Sequence, residues 1–135
     1  MKVKQLFFDS PKVLKAVDKT TRKALSRFGA FVRRTARGSI RKRKKTSAPG
    51  KPPTSQTGLL KRFIFFSYEP SRKSVVIGPM RLTGPDRGDA PSALEHGGTA
   101  TVDNTKVTVR PRPFMGPAFE KEKPNLPRLW KDSIQ

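Results

Sequence analysis

The chain contains no cysteine, which excludes a disulfide scaffold and a thiolate zinc site and argues against a small secreted domain. A single histidine, His96, leaves little room for imidazole chemistry. Acids are scarce as well, ten Asp and Glu against thirty Lys and Arg, for a net charge of +20. No apolar run approaches the roughly 20 residues of a membrane span. The first residues, MKVKQLFFDSPK, lack the apolar stretch of a secretory signal. Hydrophobic residues make up 33% of 135, enough for one small core and not for two. These absences point to a soluble, basic binding or structural protein with anionic partners, and to no metal, no cofactor and no membrane.

The charge is lopsided. Residues 1–51 hold seventeen Lys and Arg and two acids, a net of +15, whereas residues 52–135 hold thirteen and eight, a net of +5. Such asymmetry marks an element that faces a polyanion or an acidic partner. The spacing predicts a helix from Ser10, as N-cap before Pro11, to about Arg37, with Gly38 as its stop. Val13, Leu14, Val17, Thr21, Ala24, Leu25, Phe28, Phe31, Val32, Thr35 and Ala36 recur at helical spacing on one side. Lys12, Lys15, Lys19, Arg22, Lys23, Arg27, Arg33, Arg34 and Arg37 fall on the other, within an arc of roughly 140°. Lys15–Lys19, Lys19–Lys23, Lys23–Arg27 and Arg33–Arg37 are like-charge neighbours, where a solvated face normally mixes signs. The arc reads as a contact surface for DNA or an acidic partner, with an ordinary wet face as the alternative.

A run of five cations follows, Arg41, Lys42, Arg43, Lys44 and Lys45, and then a Pro/Gly/Ser/Thr-rich stretch through Gly58 that reads as an extended arm. Lys51 precedes Pro52 rather than Ser or Thr, which rejects a phosphate-binding loop. Residues 62–68 and 74–78 predict a hairpin, with Phe63 and Phe65 on one face and Ile64, Phe66 and Tyr68 on the other. Both faces are apolar, so the sheet expects cover on two sides, by the chain's own helices and by a neighbouring subunit as a further candidate. Residues 81–92 read as a polar loop. Residues 105–110 read as a third strand with Val107 and Val109 inward, and Pro117–Ile134 as helix broken or kinked at Pro124 and Pro127. The result is an α+β fold: a long N-terminal helix, a small mostly antiparallel sheet with an extended loop, and a C-terminal helix packed on the sheet. It forms one domain over 1–135, comprising a basic helix (10–38), a basic arm (39–58), and the sheet with its C-terminal helix (59–135). Glu95 and His96 have no nucleophile or ligand set around them, and His96 reads as a turn residue. Nothing in the chain points to an enzyme.

Four short motifs occur in order: Ser47–Pro53 with Thr57–Lys61, Val75–Pro79, Leu94–Gly98, and Arg112–Met115 with Pro117–Glu120. Together they resemble the neck and tail-completion, or head–tail joining, proteins of tailed bacteriophages, over about residues 10–134. The resemblance implies a non-enzymatic virion protein assembled in the bacterial cytoplasm as a ring of six or twelve copies. Its partners would be the portal, connector or adaptor proteins, the tail-tube proteins, and the double-stranded viral DNA in the channel. It further implies that the loop at 48–60 reaches a neighbouring subunit, with Pro49, Pro52, Pro53, Leu59, Leu60, Phe114 and Phe119 as docking residues. The basicity of residues 33–45 is not a general family feature. From charge alone, Lys19, Lys23, Arg27, Arg33, Arg34, Arg37, Arg41, Lys42, Arg43, Lys44, Lys45 and Lys51 are the expected contacts to DNA or acidic protein. Six copies would bring about 90 excess positive charges on residues 1–51, while duplex crossing a ring on the order of 40 Å tall presents roughly 24 phosphates. The expected role is therefore divided between DNA and protein faces. The alternative is a basic, sequence-independent nucleic-acid-binding protein of ribosomal or chromatin type.

Overall fold

A computed structural model describes residues 10–55, 57–80, 90–102 and 104–134. Its organising element is helix α1 (Ser10–Ser39), about 45 Å long at 1.5 Å per residue. The helix passes through Gly38 and ends one residue later, where the Ser39 hydroxyl donates to the Ala36 carbonyl at 2.7 Å. Burial of Ile40 directly after that turn fixes the end, so the glycine is carried through the helix rather than stopping it. The expected capping by the Ser10 side chain lies outside the described residues.

Downstream, the chain forms β1 (Arg41–Lys42), β2 (Thr54–Ser55), α2 (Leu59–Arg62), β3 (Ile64–Glu69), β4 (Ser74–Pro79) and α3 (Ala90–His96). These are followed by β5 (Gly98–Val102), β6 (Thr105–Val109), α4 (Met115–Glu122), a 3-10 turn (Lys123–Asn125) and α5 (Leu126–Ser133). The break between α4 and α5 falls at Pro124, in the 3-10 turn, and Pro127 stands in the first turn of α5, where a missing N–H is tolerated. The fold is thus α+β with a long N-terminal helix and small sheets. The strands form three separate pairs: β1–β2 is parallel, and β3–β4 and β5–β6 are antiparallel.

Helix α1 is in contact with the β3–β4 hairpin, α4 and α5, so the C-terminal helices meet the hairpin mainly through it. The core follows from this arrangement: Phe28, Val32, Ala36 and Ile40 of that segment pack with Ile64, Phe114, Ala118 and Leu129. Where hairpin and helix cross, Gly29 has no room for a side chain. A Cβ there would lie 2.9 Å from atoms of both Phe66 and Val75. The hairpin turn is tied to α1 by Lys73, whose ammonium is 2.9 Å from the Asp18 carboxylate.

Within one copy, α1 packs on the face of the β3–β4 hairpin that bears Phe66 and Val75, and the other face, for which the sequence also offered a neighbouring subunit as cover, keeps Phe65 at 41% and Val76 at 54% exposure. Two expectations change. Val107 points outward at 42% exposure rather than inward, since among the described residues β6 pairs only with β5, a strand that the sequence did not lead one to expect. Residues 90–92, read as loop, begin α3 with Pro91 in its first turn, where a missing N–H is harmless. The remainder of that predicted loop, 81–89, lies outside the described residues.

Candidate interaction surfaces

Three of the sequence motifs meet at one junction. The Arg112 amide donates to the Leu94 carbonyl at 2.6 Å, and the Gly50 amide donates to the Pro111 carbonyl at 2.9 Å. Arg112 Nε donates to the Ser47 carbonyl at 3.0 Å. Glu95 completes the knot. Its Oε2 accepts the amides of Phe114 at 2.8 Å and Met115 at 3.0 Å, and its Oε1 accepts that of Gly116 at 2.7 Å. Helix α4 has no acid in its first turn and no capping side chain of its own. The carboxylate of α3 therefore satisfies amides that a helix start leaves orphaned. Gly97 makes the approach possible: its φ is +76°, and a Cβ there would lie 2.9 Å from the Pro111 ring. Residues around Glu95 thus serve structure, and His96 beside it is exposed.

This junction corrects the expected arm. Residues 41–55 close on their own chain: Arg41 and Lys42 pair with Thr54 and Ser55, and the Thr54 hydroxyl donates to the Lys45 carbonyl at 2.9 Å. Pro53 is buried within this chain, Pro52 is half-buried and Pro49 is exposed. Phe114 is a core residue at 1% exposure, unavailable to any partner because it anchors α4, and Leu60 packs against the same core. Of the seven expected docking residues, Pro49, Leu59 and Phe119 remain well exposed. The Phe119 ring also meets Phe28 edge-on, at 5.8 Å between centroids.

The cations divide into two groups. Arg33 is turned inward: its Nε donates to the Ile64 carbonyl at 2.7 Å, and its guanidinium lies 5.5 Å from the centre of the Phe65 ring. It ties α1 to β3 and is not free for a partner, contrary to expectation. Arg22 leans over Tyr68 at 5.8 Å, and Arg37 is half-buried. Lys15, Lys19, Lys23, Arg27 and Arg34 are exposed on the side of α1 away from the core. Lys15, Lys19, Lys23 and Arg27 have no ion pair or hydrogen-bond partner among the described residues. Arg41, Lys42, Arg43, Lys44, Lys45 and Lys51 are exposed too.

Sequence reasoning missed the part played by the acids. Asp18 holds the hairpin turn and raises the Lys73 ammonium above its ordinary pKa by a hydrogen bond and by its charge. Glu122 accepts the Thr35 hydroxyl at 2.7 Å and the Asn125 amide at 3.1 Å. The Thr35 hydrogen bond, aided by Asn125 and by the charges of Lys121 and Arg34, outweighs partial burial and lowers its pKa. One local signal was available for Glu95: the sequence RPFMGPA starts a helix with no capping residue, so the cap has to come from elsewhere.

Helix α1 also projects beyond the body. Residues 11–17, ahead of the Asp18–Lys73 tie to the hairpin, are exposed all round, including Val13 at 37%, Leu14 at 56% and Val17 at 49%. An apolar groove of about 660 Å³ lies between α1, β4 and α4, with Leu25, Phe28, Val75, Ile77, Met115 and Phe119 among its lining. Among the described residues, no helix is long and apolar enough to cross a membrane. Comparison with protein-family models, with curated proteins and with solved structures gives no match.

Proposed function

We propose that this chain is a structural virion subunit that assembles as a ring in the neck, or at the head-proximal end of the tail, of a bacteriophage. There it joins head to tail around the DNA channel. The projecting end of α1 carries this reading. Its Val13, Leu14 and Val17 continue the apolar side of the helix past the body, while its other side bears Lys15 and Lys19, which have no ion pair or hydrogen bond among the described residues. An apolar stripe that one copy leaves uncovered suits burial against further protein, and the cationic side suits an anionic axis or an acidic neighbour. Support also comes from the motif junction, where residues that resemble the head–tail joining family brace one another and leave Pro49, Leu59 and Phe119 at the surface. The described carboxylates Asp18, Glu95 and Glu122 serve as ties and caps, which suits a structural protein better than acid–base chemistry.

The test is to image the purified protein and to locate it in particles. Rings of six or twelve copies are expected, together with separate heads and tails when the gene is removed. Joined, infectious particles without the protein would overturn the proposal. The exposed cations Lys15, Lys19, Lys23 and Arg27 also favour a second reading, a basic sequence-independent nucleic-acid-binding protein of ribosomal or chromatin type. Its signature is a monomer that co-purifies with RNA.

A further inference from the structure

We infer that the outward side of α1 seats the phosphate backbone of double-stranded DNA, with Lys15, Lys19, Lys23 and Arg27 as its line of contact, irrespective of base sequence. The inference rests on the reading above, in which the protein surrounds a DNA path, and it names what the cationic side of the helix faces.

The four side chains stand one helical turn apart, in steps of about 6 Å over about 18 Å, a length over which one strand presents about five phosphates. Between and beside them the same side of the helix carries Ala16, Ser26 and Ala30, small residues that let a sugar–phosphate backbone come close. This composition favours DNA over an acidic protein. Protein interfaces bury aromatic and aliphatic anchors at their centre and are depleted of lysine there, and this arc has no large apolar residue at its middle. It has no Asn or Gln either, so adenine goes without its usual bidentate partners and the contacts fall to phosphate. The neighbouring arginines that do have partners, Arg22 and Arg33, lie over Tyr68 and Phe65 at the margin of the line. The four-residue line thus has no ion pair among the described residues. Its like-charge neighbours repel one another, and a row of phosphates relieves that repulsion.

The intact protein, titrated with a fluorescent duplex of about 30 base pairs at salt from about 50 to 200 mM, tests this. Four phosphate contacts give a log–log salt slope of about −3.6 and an affinity loss of about 150-fold across that range. Duplexes of scrambled sequence should bind alike. The quadruple variant K15Q/K19Q/K23Q/R27Q should lose most of that slope, yet melt no lower than the parent because three repulsive pairs are gone. A variant with R41Q, R43Q and K45Q should lose less. The inference is overturned if the quadruple variant keeps the slope, if the 41–45 variant loses more, or if polyglutamate of matched charge binds more tightly than duplex. Rings that bind no DNA would remove this inference and spare the assembly reading. DNA binding by a protein that stays monomeric and joins no particle would do the reverse.

Discussion

The Glu95 carboxylate accepts the Gly116 amide at 2.7 Å across 21 residues of chain. With Phe114 and Met115 on its other oxygen, one side chain of α3 caps the start of α4 and fixes Phe114 in the core. Glu95→Gln keeps a single acceptor oxygen and no charge, so at least one amide at the helix start loses its partner. A loss of about 2 kcal/mol in unfolding free energy is expected. Chemical denaturation checks it, and His96→Gln, whose parent side chain is exposed, serves as the silent control.

Two glycines of α1 should respond in opposite directions to alanine. Gly29→Ala puts a methyl 2.9 Å from both Phe66 and Val75 at the helix–hairpin crossing. The overpacking costs about 1–3 kcal/mol, which outweighs the gain in helix propensity of up to about 1 kcal/mol. Gly38→Ala meets nothing within 4 Å and should stabilise by about 0.5–1 kcal/mol. Melting temperatures of the two variants decide it, and equal shifts of the same sign would contradict the packing described.

How far the sequence is legible follows from the range of its signals. The period of α1, the apolar hairpin and the prolines that separate α4 from α5 and begin α5 are local patterns, and each reappears in the fold. Gly38 misled because a stop signal is weaker than the burial of Ile40 just beyond it. Strand β5 was hidden because Gly-Thr-Ala-Thr-Val carries little apolar alternation and is a strand only through its pairing with β6. The contact surface was readable as an arc of charge, but its membership was not. Arg33 and Lys19 look alike on a helical projection, and only the position of the Ile64 carbonyl and the Phe65 ring separates them. Phe114 likewise needed the third dimension, since nothing in Arg-Pro-Phe-Met says that Glu95 will clamp it inward.

That division among the cations is measurable. Arg33→Ala breaks a charge-assisted hydrogen bond to the Ile64 carbonyl and removes the stacking on Phe65. It should cost about 2 kcal/mol of stability with little effect on duplex binding. Arg27→Ala, at an exposed position without a partner, should leave stability within about 0.5 kcal/mol and weaken duplex binding. A double dissociation in melting and binding titrations is the expected result, and equal effects on both readouts would show that the two arginines do the same job.

Glu122 makes the fold sensitive to acid. Its carboxylate takes the Thr35 hydroxyl from α1 and the Asn125 amide from the following turn, and these bonds to the charged form lower its pKa in the folded state. A folded pKa below the unfolded one means that the unfolded chain binds the proton more readily. The stability contributed by this group is therefore complete above the unfolded carboxyl pKa and is lost as pH falls through the lower folded value. Thr35→Val removes the largest cause of the shift and should flatten this part of the acid limb, while Glu122→Gln should abolish it and leave the rest of the pH profile in place. Unfolding free energies from neutral pH down into the acid range give the comparison. If both variants follow the parent's slope there, the proton is taken up elsewhere and the Thr35–Glu122 bond contributes nothing to it.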